Sequence, residues 1–371
     1  MRTTKIIITG GHITPAEAVI DEIRKLHLPW EIVIIGRSKA VEGGSGYDRE
    51  REIAASKGVR FLSITTGRIQ RSLTWFTVIS LIKIPIGFVQ SLVICLREKP
   101  DIVLTFGSYI AVPVAFSAFI CRIPIITHEQ TIQPGLANIV ISRIARIICV
   151  SFPETVRAFS KKKTILTGLP IRKEILEPQK KDFFPTDNPI LYITGGSLGS
   201  SSMNALLFPL IHDFIKTYTV IHQTGAASYG PASEIRQSLP ITLRNRYVIQ
   251  QYVDTEPAAW VLHKAEAVIT RAGANTVIEL AYLHKRAILI PLPWAGAGEQ
   301  EKHARWFCNR EIGRIIDQKK AIPSDIIHAL TQITGEENRI TSSVSPVPAD
   351  GARRVIDIVS AVLLQPDDKH A

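Results

Sequence analysis

Little in this sequence offers a covalent or metal cross-link. Only four of its 371 residues are cysteine, Cys95, Cys121, Cys149 and Cys308, and no two form a C-x-x-C pair. Each lies in an apolar stretch, which excludes a disulfide scaffold and reads as reduced core positions of a cytosolic chain. There is no Asp-x-Asp pair, and no His/Cys/Glu cluster has metal-ligand spacing, so no metal site is expected. A Walker A loop, a G-x-G-x-x-G fingerprint, a solenoid repeat and low-complexity tracts are also missing. The N-terminus runs straight into a strand-like stretch, Lys5–Thr9, without a separate apolar segment and cleavage site, so no signal peptide is read. Acidic residues are the minority, 33 against 44 Lys plus Arg, which leaves a formal net charge of +11.

What is present is apolar material: 46% of residues are hydrophobic, which excludes disorder as the main state. The length suggests two domains. A chain both basic and apolar suits nucleic acid, a membrane surface or an anionic small substrate. No aromatic-interleaved basic stripe supports nucleic acid, so no nucleic-acid partner is expected. The longest apolar run, Trp75–Leu96, carries Thr77, Ser80, Lys83, Gly87 and Gln90/Ser91 as a narrow polar stripe at helical spacing. Lys83 and Pro85 at its middle disfavour a membrane-spanning helix. A buried helix kinked at Pro85 is expected instead. The alternative is that its first half lies on a membrane surface, with Arg68 and Arg71 upstream and Trp75 and Phe76 exposed.

Short β-branched runs alternate with helical patterns along the chain. Expected strands are Lys5–Thr9, Glu31–Ile35, Arg60–Ile64, Ile102–Thr105, Ile123–Thr127, Ile147–Val150 and Thr164–Leu166. A second set comprises Pro189–Thr194, Tyr218–Gln223, Tyr247–Gln250, Ala267–Thr270, Ala287–Pro291 and Arg314–Ile316. The alternation predicts an α/β architecture of two doubly wound parallel-sheet domains. The expected division is residues 1–168, a linker at 169–188 rich in Lys and Pro, a second domain at 189–347, and a closing amphipathic helix within 348–371. That helix is expected to pack back towards the first domain.

Ligands of open parallel sheets bind beyond the strands' carboxyl ends, so the loops there carry the chemistry. After the first strand comes Thr9-Gly10-Gly11-His12-Ile13-Thr14-Pro15-Ala16-Glu17, a glycine pair before a helix start. Thr14 and Glu17 have the spacing of a capping box, with Pro15 at the first helical position. Glycines let backbone N–H groups approach an anion, and His12 at the strand end is a candidate general base. A tight turn with an exposed histidine fits the same residues. A second glycine-rich turn, Gly195-Gly196-Ser197-Leu198-Gly199-Ser200, opens the second domain, and Ser197 offers a hydroxyl to a phosphate. A third, Arg271-Ala272-Gly273-Ala274-Asn275-Thr276, leads to Glu279, either a ribose-diol acceptor or a solvated helix face. His128-Glu129-Gln130-Thr131 and Pro134–Asn138 follow the fifth strand, where the His-Glu pair suits acid/base work or a structural loop. Three glycine-rich turns imply an extended anionic ligand between two domains.

These segments, with Thr167–Arg172, His222-Gln223-Thr224-Gly225 and Gln300, follow one another in the order of a known family. The sequence resembles the MurG family, the bacterial peptidoglycan N-acetylglucosaminyltransferases that make lipid II, over nearly the whole chain. The resemblance implies a GT-B fold, two Rossmann-like domains facing a cleft. It implies inverting, metal-independent transfer of GlcNAc from UDP-GlcNAc to the 4-hydroxyl of MurNAc in undecaprenyl-diphosphate-linked muramoyl pentapeptide, with no cofactor. It implies a peripheral protein on the cytoplasmic face of the bacterial plasma membrane, against an anionic membrane surface.

By the same resemblance, the C-terminal domain holds the donor. Ser197 lies near the diphosphate, Val253 meets the uracil, and Ala274, Asn275 and Thr276 present a helix N-terminus. Glu279 holds the ribose, Gln300 the sugar hydroxyls, and Arg172 aligns with a donor-binding arginine. The N-terminal domain holds the lipid acceptor through Thr9, Gly10, Gly11, His12, Tyr109, Glu129, Thr131 and Asn138, and an apolar patch near residues 68–84 touches the membrane. His12 is the first candidate base and Glu129 the second. The chain departs from the family pattern in its first glycine loop, which is either shortened or has Ile7 and Ile8 in place of two glycines, and in Thr131, Leu169 and Glu299. The first departure bears on the acceptor diphosphate contacts. Other readings of the same motifs are a related GT-B lipid glycosyltransferase, a UDP-sugar 2-epimerase, or a non-catalytic nucleotide-sugar-binding paralogue.

Overall fold

The computed structural model describes residues 3–37, 49–65, 67, 75–196, 199–311, 313–335 and 348–364. The chain divides into two compact units, Met1–Arg172 with Ala349–Ala371, and Lys173–Pro348. Among the described residues each unit is built on one parallel sheet.

The first sheet comprises β1 (Thr4–Thr9), β2 (Trp30–Arg37), β3 (Arg60–Ile64), β4 (Ile102–Thr105), β5 (Ile125–Glu129), β6 (Ile147–Val150) and β7 (Thr164–Leu166), in the order β3-β2-β1-β4-β5-β6-β7. The second comprises β8 (Ile190–Thr194), β9 (Thr219–Gln223), β10 (Tyr247–Gln250), β11 (Ala265–Thr270), β12 (Arg286–Leu289) and β13 (Gly313–Ile315), in the order β10-β9-β8-β11-β12-β13. Both orders reverse direction once, between β1 and β4 and between β8 and β11. That reversal opens a crevice at the carboxyl ends of the two strands. The expected strands are present within a few residues of their bounds. β5 differs, since His128 and Glu129 are its last two residues and not the start of a loop.

The strands read as continuous Ile/Val runs because both sheet faces are covered. In β1 the side chains alternate: Ile6 and Ile8 enter one core and Ile7 the other. The first of these cores also receives Ile13, Ala16, Val19, Ile20 and Ile23 of α1 (Ile13–Lys25). Val355, Ile356, Val359 and Val362 of the closing helix, Gly351–Leu364, join the same cluster, so this helix completes the unit in which the chain begins.

Two local expectations are corrected. The Thr14/Glu17 capping box does not form: α1 begins at Ile13, with His12 at the N-cap position and no side-chain cap bond. Glu17 is buried and faces Lys57, whose Nζ lies 3.3 Å from it and 2.7 Å from Asp21. A half-buried ammonium that needs counter-charges takes this carboxylate away from the backbone. Within residues 169–188, Leu169, Ile171 and Ile175 are buried, and Phe183 and Phe184 pack on Trp260.

The second correction concerns α3 (Trp75–Glu98), a single helix with Pro85 inside it. Its second half is amphipathic in an inverted sense. The small residues Gly87, Ser91 and Cys95 face inward, while Ile86, Val89, Val93 and Leu96 are exposed, Val89 to 63% and Leu96 to 58%. It is therefore not a buried helix in that half. Arg68, Arg71 and the side chains of Trp75 and Phe76 lie outside the described residues. Among the described residues, no helix is long and apolar enough to cross a membrane.

Candidate active site

At the switch point of the first unit, β1 delivers Thr9, buried, with no partner for its hydroxyl oxygen among the described residues. Gly10 donates its N–H to Ile35 at 2.7 Å. Gly11 follows with φ +106°, and any side chain there would run into Ser108. The loop after β4 meets it with Gly107 and Ser108, both at positive φ, 77° and 69°. Ser108 lies in a region that L-residues rarely adopt, so strain is held where the two loops touch. Tyr109 follows, half-buried.

His12 projects from this turn with an exposed side chain. Desolvation by the surrounding protein lowers its proton affinity below the ordinary histidine value, and Glu129 and Glu50 pull the other way. The ring stays open to water. The imidazole is then neutral at pH 7, with a free nitrogen to take a proton.

Glu129 is a different object. Its Oε1 accepts from the Thr131 N–H at 3.0 Å and the Thr131 hydroxyl at 2.8 Å. Its Oε2 accepts from the Gly135 N–H at 3.0 Å and the Asn138 amide at 2.9 Å. Four donors on one buried carboxylate shape the 130–138 loop. Asn138 extends the lattice: its Oδ1 accepts from Thr127 at 2.7 Å, and its amide reaches the His128 carbonyl at 3.2 Å. Thr127 in turn meets Thr105 at 2.8 Å, which ties β4 to β5. His128 is fully buried, donates Nε2–H to the Gly168 carbonyl at 3.0 Å, and is pushed down to about 4 by burial. It remains neutral, so the His-Glu pair is not an exposed acid/base couple. Thr131 and Asn138, expected as substrate contacts, both spend polar atoms inside this lattice.

In the second unit the turn after β8 is closed by backbone. The Gly199 N–H donates to Gly196 O at 3.0 Å, Gly196 N–H to Thr194 Oγ1 at 3.1 Å, and Gln223 Nε2 to Gly196 O at 2.8 Å. A Cβ on Gly199 would stand 2.6 Å from both Thr224 O and Gly225 Cα, and φ there is +72°. Only glycine lets the β8 and β9 turns approach so closely. Ser197, and Leu198 with it, lie outside the described residues.

Beside this turn stands Arg271, at the end of β11 and 5% exposed. Its guanidinium donates to Ser200 Oγ at 2.7 and 3.0 Å, to Ser202 Oγ at 2.9 Å and to the Ile290 carbonyl at 2.9 Å. Every partner named is neutral, and burial lowers its affinity for the proton to about 10. Even so it is charged at pH 7. A neutral cradle leaves its positive charge available to a nearby anion.

Gly273 then caps the helix Ala274–Tyr282, where Ala274 is buried and Asn275 and Thr276 are half-buried. Glu279 is 5% exposed, so it does not belong to a solvated helix face. Val253, 5% exposed, lies just beyond β10, and Gln300 accepts the Leu292 N–H at 2.9 Å through Oε1. Arg172 closes the first unit's main segment and is half-buried.

Sequence reasoning passed over the buried braces. His222 donates Nε2–H to Asn204 Oδ1 at 3.1 Å and accepts the Tyr247 hydroxyl at Nδ1, 3.0 Å. Asn204 Nδ2 then holds Thr224 O at 2.8 Å, which fixes the β9 turn against the glycine loop. His303 donates Nδ1–H to Ala272 O at 3.1 Å and steadies the third turn. Glu50, in the first turn of the helix Arg49–Ser56, was missed as well. Among the described residues, no group of three or more His, Cys, Asp and Glu stands together as a metal site.

Residues 7–150 match the glycosyltransferase family 28 N-terminal domain, and residues 190–354 the glycosyltransferase family 28 C-terminal domain. A relative from Clostridium kluyveri is 31% identical over 366 residues, covering 96% of this chain and 98% of its own. It is named UDP-N-acetylglucosamine–N-acetylmuramyl-(pentapeptide) pyrophosphoryl-undecaprenol N-acetylglucosamine transferase. Among solved structures, MurG of Acinetobacter baumannii aligns with a TM-score of 0.68 at 21% identity, over 97% of this chain and 100% of that one. UDP-GlcNAc 2-epimerase of Methanocaldococcus jannaschii aligns at 0.65 and 11%, over 97% and 100%. The last two share the fold.

Proposed function

The chain belongs to glycosyltransferase family 28, and from that premise we propose that it transfers GlcNAc from UDP-GlcNAc to the MurNAc 4-hydroxyl of an undecaprenyl-diphosphate-linked muramoyl pentapeptide. The observation that carries this reading is the end-to-end likeness at 31% identity to a transferase of that name. The epimerase reading has only fold likeness, at 11% identity, behind it.

The chemistry is one displacement. The acceptor hydroxyl gives its proton to His12 Nε2 or Nδ1, and the oxygen attacks the anomeric carbon from the face opposite UDP. The bond from that carbon to the diphosphate oxygen breaks, and its electron pair leaves on UDP. Inversion follows from the single attack. The role of base falls to His12 rather than Glu129, because the histidine is exposed while the carboxylate already accepts four hydrogen bonds. The growing charge on UDP is met by the Arg271 guanidinium, which Ser200 and Ser202 hold in place before substrate arrives. Glu279, buried in the helix that follows Arg271, is assigned to the ribose hydroxyls, and Val253 to the uracil. Ser197 and Gln300 are assigned to the diphosphate and the sugar hydroxyls. Tyr109, Thr9 and the first glycine turn face the acceptor side.

The protein is taken to act at the cytoplasmic face of the plasma membrane as a peripheral protein. The exposed aliphatic residues of α3 support this, being the feature that an interfacial helix presents to lipid.

UDP release from UDP-GlcNAc, measured with and without the lipid-linked acceptor, tests the reading. Release that requires the acceptor, with the disaccharide lipid as product, is expected. UDP-ManNAc formed without acceptor would make the protein an epimerase. UDP-GlcNAc binding with no turnover would make it a non-catalytic binder.

A further inference from the structure

The first glycine turn has the look of a phosphate site, yet an anion from the chain itself already fills it. Glu50 stands in the first turn of α2 (Arg49–Ser56) and is 5% exposed. Its Oε1 accepts the Gly11 N–H at 2.9 Å, and its Oε2 accepts the Arg37 N–H at 3.0 Å. The Arg37 guanidinium lies 3.5 Å from Oε1. The surrounding glycines are cut to this carboxylate. A Cβ on Gly10 would stand 2.7 Å from Glu50 Cδ, and one on Gly36 would stand 2.5 Å from Oε2. Since the Gly10 N–H is spent on Ile35, both donors of the glycine pair are committed within the chain.

We propose that Glu50 is a positioning residue for the transfer: its carboxylate takes the place of a phosphate in the Gly10–Gly11 turn and sets the turn from which His12 acts. It joins the ends of β1 and β2 through one side chain, one residue before His12. The same fixed negative charge faces any diphosphate that approaches the turn, so the acceptor's diphosphate is held elsewhere. This overturns the expectation that the N–H of Gly11 binds that group. The charged groups that bear on His12 are Glu129 from β5 and Glu50 from α2, the latter paired with Arg37 of β2. Of these, Glu50 alone touches the turn that carries His12.

The proposal rests on His12 as the base of the proposed transfer, and its test separates the two. In the full chain with labelled histidines, the His12 resonance is assigned by its loss in His12→Ala and titrated in wild type, Glu50→Gln and Glu50→Asp. Loss of the carboxylate charge in Glu50→Gln is expected to move the His12 midpoint to lower pH, while Glu50→Asp leaves it near wild type. This reading needs no turnover, so it decides the placement of Glu50 even if the chain transfers nothing.

In the transferase assay, Glu50→Gln is expected to lower kcat at least about tenfold, because a displaced base is no longer aligned. Both KM values should stay within about threefold of wild type, and the acid limb of the pH profile should move down. An unmoved His12 titration in folded Glu50→Gln overturns the proposal. So does a lower acceptor KM at unchanged kcat, which would make the turn a phosphate site. If Glu50→Gln does not fold, Glu50→Asp decides: a lowered kcat with an unmoved His12 titration supports the proposal, and an unchanged kcat overturns it.

Discussion

Arg271 and Glu129 are both buried and both charged, and the structure treats them in opposite ways. The carboxylate is surrounded by donors, so it organises a loop. The guanidinium is held by hydroxyls and carbonyls, so its charge is kept for something else. A lysine at 271 would keep the charge but not span Ser200, Ser202 and Ile290 together. Arg271→Lys is therefore expected to raise the KM for UDP-GlcNAc at least about tenfold, as expected when one charge-assisted contact to a diphosphate is lost. Thermal unfolding should fall by several degrees, since Ser200, Ser202 and a carbonyl lose a buried partner. Calorimetry and steady-state kinetics on the same preparation would check both, and an unchanged KM would remove Arg271 from the donor site.

At the scale of elements, two features do different work. The turn after β8 depends on backbone approaching backbone. Gly199→Ala would place a methyl 2.6 Å from Thr224 O and Gly225 Cα at a φ of +72°. A cost of about 1–3 kcal/mol is expected from the backbone strain alone, read as a lower melting temperature and weaker UDP-GlcNAc binding. Helix α3 presents aliphatic side chains outward because its inward face is occupied by small residues, with Cys95 in the core that Ile7 enters. Val89→Glu or Leu96→Glu should weaken co-sedimentation with anionic vesicles about tenfold, roughly the loss of one buried aliphatic side chain. UDP-GlcNAc binding should not change, and unchanged vesicle binding would take this face off the membrane.

For the whole molecule, the closing helix and the buried histidines set stability. Val355, Ile356, Val359 and Val362 together contribute on the order of 6–12 kcal/mol by burial, comparable to the entire stability of a domain. Deleting residues 349–371 is expected to unfold the first unit, so limited proteolysis should leave a resistant fragment beginning near residue 173. Intact protection of the first unit would contradict this. Burial pushes His128 and His303 to about 4 and His222 to about 3. Unfolded, each returns to the ordinary value near 6.5. Between about pH 6.5 and 4 the unfolded chain therefore binds more protons than the folded one, and stability falls as pH falls. Each histidine contributes up to about 1.4 kcal/mol per pH unit in that window and nothing above it. A melting temperature that declines steadily from pH 6.5 to 4.5, with a shallower decline in His303→Gln, is the expected result.

The sequence by itself determined the two parallel sheets, since Ile/Val runs at strand length between helical patterns have few other places to be buried. It also determined that glycine-rich turns follow the carboxyl ends of the strands. The position of His12 followed from that. Tertiary structure alone decided what each polar residue does there. Glu50, Glu129 and Glu279 look alike in sequence, each a carboxylate on or near a loop. Their roles depend on their partners. Some of these lie far along the chain, as Glu50 meets Gly11 across 39 positions and Arg271 meets Ser200 across 71, whereas the donors to Glu129 come from the loop that follows it, the farthest across 9. The outward apolar face of α3 was hidden for the same reason, because periodicity shows that a helix has two faces but not which one the core takes. A charge near a glycine turn becomes a ligand contact, a brace or a substitute for the ligand according to what the fold brings within hydrogen-bond reach.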